Sequence, residues 1–213
     1  QHSATILADG ELFSAFSIDY QGWRLPAKQV RDSKAPGSVR QVTPPAGVSI
    51  KPQQLDVHAY YSTVAGSRLV RNQLTIKAQG AAYQRQPDLL PAMAIGLVKN
   101  AQAELITGSL ESSGHQYTYL ATWGKQSLNN DDLGMAVLIK RAAVQQVSAD
   151  ANSHVLVVKP TANQLDYYFL AAWSGEPGGI KSKAEFIKYL QQEADRLTMP
   201  ARQQLSNPAS RPA

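Results

Sequence analysis

The stretches Gln54–Val64, QLDVHAYYSTV, and Arg68–Gly80, RLVRNQLTIKAQG, decide how the chain folds. In the first, Val57, Ala59 and Tyr61 alternate with Asp56, His58 and Tyr60. In the second, Val70, Leu74 and Ile76 alternate with Arg71, Gln73, Thr75 and Lys77. Successive side chains on a strand point to opposite faces, so this period of two marks strands buried on one side. Ala65, Gly66 and Ser67 supply a short turn between them, and the pair reads as an antiparallel hairpin.

The same alternation runs outward in both directions. In Glu11–Trp23, ELFSAFSIDYQGW, Leu12, Phe16, Ile18 and Tyr20 share one parity and are expected on a buried face. Lys28–Pro52 loses periodicity and carries Pro36-Gly37, Pro44-Pro45 and Gly47, which marks a long excursion. Further strands are expected in AMAIGLVKN, AELITGSL, HQYTYLATWG, LGMAVLIK, AAVQQVSA, HVLVVKP and QLDYYFLAAW. About ten short strands with no helices between them argue for an antiparallel sandwich over a βαβ fold. One helix is specified, in Ser182–Leu197: Ser182 and Glu185 form a capping box, Ile187, Leu190, Ala194 and Leu197 an apolar stripe, and Pro200 ends it. Residues 1–200 therefore read as an all-β, large antiparallel β-sandwich with one C-terminal helix, and 201–213 as a flexible tail.

Composition narrows the function classes. Hydrophobic residues are 43% of the 213, enough for a sizeable core, and charged residues at 17% are too few for disorder or a coiled coil. Without cysteine there are no disulfides, thiolate metal sites or thiol nucleophile. No apolar run approaches the roughly 18 residues of a membrane-spanning helix. The chain begins at Gln1, which is read as the product of signal-peptide cleavage and implies a periplasmic or secreted protein. The net charge of +5 comes from scattered basic residues without interleaved aromatics, which speaks against nucleic acid and allows attraction to an anionic polymer such as a uronic-acid polysaccharide. No dinucleotide fingerprint, phosphate loop, zinc motif, calcium loop or nucleophile elbow is present, so no metal ligands are assigned and any cofactor stays unknown.

The candidate chemistry lies in a few polar and aromatic positions. His58 sits on the polar parity of its strand beside Tyr60 and is a candidate general base. His115, Tyr117, Tyr119 and Trp123 share one strand face, suited either to stacking on sugar rings or to an aromatic ladder on the core. Trp173, like Trp23 and Trp123, ends a strand and offers an aromatic platform. Glu176, within AWSGEPGGIKS, is a single carboxylate in a tight glycine-rich loop and a candidate acid or sugar ligand. A glycosidase needs two acids flanking the scissile bond. A polysaccharide lyase needs a cation or amide on the uronate and a His, Tyr or Lys to take the adjacent proton. His58, Tyr60, Arg68, Arg71, His115 and Tyr117 supply those types. His58, Tyr117 and Glu176 are taken as candidate catalytic residues, and Tyr60, Arg71, His115, Tyr119, Trp123 and Trp173 as candidate substrate contacts.

Three segments carry a family resemblance: GELFSAFSIDYQGW at Gly10–Trp23, DDLGMAVLIK at Asp131–Lys140, and YYFLAAWSGEPGGIKSKAEFIKYLQQEADRL at Tyr167–Leu197. Together they resemble DUF4861, a family of bacterial proteins linked to breakdown of pectin and related polysaccharides. The resemblance implies a galactose-mutarotase-like supersandwich. It also implies a further N-terminal portion in family members, so that a second chain or N-terminal fragment would complete the sandwich. The expected function is action on acidic plant or algal polysaccharide or its oligosaccharides, narrowly preferred as a lyase. A glycoside hydrolase and a non-catalytic carbohydrate-binding or structural module are the alternatives.

Overall fold

A computed structural model describes residues 1–25, 29–31, 39–41, 53–79, 93–109 and 116–199. Among the described residues thirteen strands precede one α-helix: β1 (His2–Asp9), β2 (Phe13–Leu25), β3 (Gln29–Arg31), β4 (Val39–Gln41), β5 (Gln53–Val64), β6 (Val70–Gln79), β7 (Met93–Val98), β8 (Ala103–Thr107), β9 (Tyr117–Lys125), β10 (Asp132–Lys140), β11 (Val144–Ala149), β12 (Ser153–Val158), β13 (Gln164–Trp173) and α1 (Lys183–Thr198). Eight strands form one antiparallel sheet in the order β1-β2-β5-β6-β13-β10-β9-β8. β11-β12-β7 form a three-stranded sheet, and β3-β4 a separate pair. The expected all-β sandwich with a C-terminal helix is what the chain forms.

The large sheet has two differently covered faces. On the inner face, Leu120, Val137, Ile139 and Leu165 pack against Leu156 and Val158 of the small sheet, with Met93 and Ile95 alongside. On the opposite, helix face, Phe186, Leu190 and Ala194 of α1 pack over Tyr119, Ala121, Trp123, Ala136 and Leu138. Burying a Leu or Phe side chain contributes about 1.5–3 kcal/mol, so each cover is held by several such increments.

The helix begins as its sequence requires. Ser182 accepts a hydrogen bond from the Glu185 amide, and Glu185 reaches back to accept from the Lys181 amide at 2.8 Å. The box therefore closes one residue earlier than the Ser182 amide, and both contacts satisfy first-turn donors.

Two local features shape the surfaces. In β2 the register slips between Tyr20 and Trp23, at Gly22 with φ +66°, and the Gly22 amide donates to Asp56 Oδ1 at 2.8 Å. This bulge puts Tyr20 and Trp23 on the same face although their numbers differ by an odd count. Between β12 and β13, Ala162 (φ +49°) and Asn163 (φ +63°) make a two-residue turn closed by Thr161 and Gln164. A left-handed alanine costs roughly 1 kcal/mol, while asparagine tolerates that region. Ala162→Asn is accordingly expected to stabilise the fold by about 0.5 kcal/mol. A lowered midpoint in a thermal melt would contradict this account of the turn.

The sequence reading of β2 needs one correction. Phe16, Ile18 and Tyr20 do share a face with Val57, Ala59 and Tyr61, but Phe16 is 42% and Tyr20 37% exposed. Over β1 and β2 no described residue of the small sheet covers them, and the buried positions of β2 are instead Ala15 and Ser17. The tail from Ala201 and the greater part of Lys28–Pro52 lie outside the described residues.

Candidate functional site

The helix covers β9, β10 and the end of β13 at Leu170 and Ala172, and beyond it the same face of β2, β5, β6 and the start of β13 carries the polar parity of those strands. Register fixes the rows. Asp19 stands opposite His58, and His58 opposite Thr75, which stands opposite Gln164. The next row runs Ser17, Tyr60, Gln73 and Asp166 on the same face. Lys140 ends β10 opposite Tyr117.

His58 Nδ1 lies 2.7 Å from Asp19 Oδ1. A carboxylate at one ring nitrogen sets the tautomer and leaves Nε2 as the nitrogen able to take a proton. His58, Tyr60, Lys140 and Lys159 border one cavity of about 610 Å³, with Gln164 and Asp166 on its wall. The strained Ala162 turn forms part of that wall and is pinned by the Ile76 amide donating to Asn163 O at 2.8 Å.

Asp166 is committed elsewhere: Arg71 donates to it from Nε at 3.0 Å and from Nη2 at 2.6 Å. The Asp166 carboxylate in turn holds the Arg71 guanidinium firmly protonated, against the opposing effect of burial. With that carboxylate neutralised by Arg71, Lys140 and Lys159 leave the cavity with an excess of positive charge. Arg71 also lies over the ring of Tyr168, 6.0 Å from its centroid, and Tyr168 meets Tyr117 edge-on at 6.1 Å.

Tyr117 is 7% exposed, and burial pushes its phenol up to about 12, with Tyr168 and Asp166 adding to the effect. It stays protonated near neutral pH, a hydroxyl able to donate a hydrogen bond and not a proton acceptor. His58, Tyr60, Arg71 and Tyr117 thus lie on one continuous face, with His58 at one end and Tyr117 at the helix margin.

The other candidate residues lie apart from that cavity. Tyr119 and Trp123 are buried beneath α1, with Trp123 5.2 Å from Phe186. Glu176 accepts both Nε and Nη2 of Arg68, which lies 5.5 Å from the Tyr189 ring centroid, so this carboxylate ties the loop before α1 to the β5–β6 turn region. Trp173 donates Nε1–H to Asp131 Oδ1 at 2.8 Å. Ser127 and then Trp173 hold the Asp131 carboxyl below its ordinary range. His115 lies outside the described residues.

A second concavity lies on the uncovered inner face and includes residues the sequence reading passed over. It has a volume of about 600 Å³ and is bordered by Tyr20, Trp23, Val57, Tyr61, Asn72 and Tyr167. Asn72 is 3% exposed and donates from Nδ2 to Tyr167 Oη at 2.7 Å, whereas its Oδ1 has no hydrogen-bond partner among the described residues. An unpaired buried amide oxygen costs about 1–3 kcal/mol.

Among the described residues no group of three or more His, Cys, Asp or Glu side chains is arranged to hold a metal ion, and no helix is long and apolar enough to cross a membrane. Residues 1–202 match the family model described as Domain of unknown function (DUF4861). No curated protein and no solved structure matches the chain.

Proposed function

We propose that this chain, which belongs to the DUF4861 family, acts on acidic polysaccharide or its oligosaccharides, and that it cleaves them by elimination in the cavity on the helix face. The observation that carries the reading is the Asp19–His58 pair at 2.7 Å, opening on a cavity shared with Tyr60, Lys140 and Lys159. Elimination from a uronate needs the carboxylate charge met, the proton beside it removed, and the leaving oxygen protonated. Lys140 and Lys159 meet the carboxylate. His58 Nε2 takes the proton from the carbon bearing it. The bond from the neighbouring carbon to the leaving sugar oxygen breaks as the double bond forms, the Tyr60 hydroxyl gives its proton to that oxygen, and the proton on His58 then passes through solvent to the Tyr60 phenolate, which restores both groups. Asp166 stands in the cavity wall, held there by Arg71.

Two-carboxylate hydrolysis fits this cavity less well. Asp166 is its only carboxylate among the described residues, and Arg71 occupies both of its oxygens. Incubation of the purified protein with polygalacturonate is expected to yield the ultraviolet absorbance of an unsaturated uronate. New reducing ends without that absorbance would replace elimination by hydrolysis, and saturable binding with neither product would make the chain a binding module.

A further inference from the structure

The uncovered part of the inner face has its own chemistry, distinct from that of the helix face. Phe16 stacks on Tyr61 at 4.7 Å with 15° between the rings, and Phe169 meets Tyr61 edge-on at 6.5 Å. Trp23, turned to this face by the Gly22 bulge, lies 6.3 Å from Tyr20. The floor between these rings carries the hydroxyls of Tyr61 and Tyr167, with Asn72 between them in register. Because Asn72 donates to Tyr167 Oη, that hydroxyl's own proton is free to point elsewhere. Burial raises both phenols, Tyr167 and Tyr61 alike, so both remain hydroxyl donors.

We propose that this aromatic concavity binds a neutral sugar residue. Its walls offer ring faces to the apolar C–H surfaces of a sugar, and its floor offers hydroxyls to sugar hydroxyls. Among the described residues Arg24 is the one side chain of fixed charge that borders it, at the rim beside Trp23, and no lysine or carboxylate does, in contrast to the lysine-lined cavity opposite. Asn72 acts as a positioning residue: it fixes the phenols and leaves its own buried oxygen unpaired. A position selected for stability alone would hold an apolar side chain there. The inference does not depend on elimination at the helix face, since His58, Tyr60 and Asp166 stand on one face of the sheet and Tyr61, Asn72 and Tyr167 on the other.

Titration of the full chain with galactobiose and with arabinobiose, followed by tryptophan emission, tests it. At least one of these neutral disaccharides is expected to give a saturable change that Trp23→Phe removes. The Tyr61→Phe, Tyr167→Phe double variant should weaken the binding at least tenfold. Asn72→Leu, which removes the unpaired oxygen and so keeps the melting temperature, should weaken it by a similar factor. Digalacturonate should leave the Trp23 signal unmoved. The proposal fails if neither neutral disaccharide gives a saturable change, if Trp23→Phe retains that change in full, or if digalacturonate produces it equally. It also fails if the chain dimerises in sedimentation and Phe16→Arg abolishes the dimer, because a second copy is then what covers this face.

Discussion

Phe186→Ala is expected to destabilise the protein by about 3–5 kcal/mol, enough to leave much of the chain unfolded at physiological temperature. Phe186 has no exposed surface, and its ring lies tilted against Trp123 at 5.2 Å. It fits where it does because β10 has a glycine beneath it: a Cβ added to Gly134 would lie 2.6 Å from the Phe186 ring. The contact is a matched pair, one ring and one missing side chain, and it clamps the helix to β10 of the large sheet. Gly134→Ala should therefore also destabilise, by about 1–3 kcal/mol through overpacking. Combining Gly134→Ala with Phe186→Leu should cost less than the sum of the two changes, because the smaller side chain makes room. Urea denaturation of the four proteins measures the coupling, and simple additivity would show that the ring does not seat on Gly134.

The parts of this architecture that were legible in the sequence are those governed by local periodicity. The β5–β6 hairpin shows because its alternation is uninterrupted, and the helix shows because Ser182 and Glu185 sit three apart before an apolar stripe. β1 does not show: as an edge strand, its Ala4, Ile6 and Ala8 carry little of the burial signal that marks a strand, and Ile6 is 76% exposed. Parity also predicted correctly that Tyr117, Tyr119 and Trp123 share a face. Which face the helix would cover depends on where a segment some sixty residues later comes to rest. The inner aromatic concavity was hidden for a different reason. A single bulge at Gly22 reverses the parity of Trp23 relative to Tyr20, and counting by twos cannot see it. The Asp19–His58 pair is likewise a product of register between β2 and β5, which are not joined by a hairpin but by a connection that includes β3 and β4.

That register gives the second large effect. His58→Ala is expected to lower kcat on polygalacturonate by about a hundred- to ten-thousand-fold, the usual contribution of a positioned proton acceptor. The loss should come without unfolding, because His58 and Asp19 are 48% and 42% exposed and such pairs contribute no more than about 1 kcal/mol. Asp19→Asn separates orientation from chemistry. The Asp19 carboxylate bonds the imidazole among the described residues, so its removal should lower kcat less than loss of the ring does, with KM little changed. Lys140→Gln with Lys159→Gln should act in the other sense, raising KM chiefly, and more steeply at low ionic strength where the screening length is long. A His58→Ala protein that turns over at the parent rate would remove the dyad from the reaction. If Asp19→Asn raised KM as strongly as the lysine changes, the carboxylate would be arranging the cavity, not the base. The expected split, kcat from the dyad and KM from the lysines, follows from placing an imidazole held by Asp19 and two ammonium groups around the same uronate.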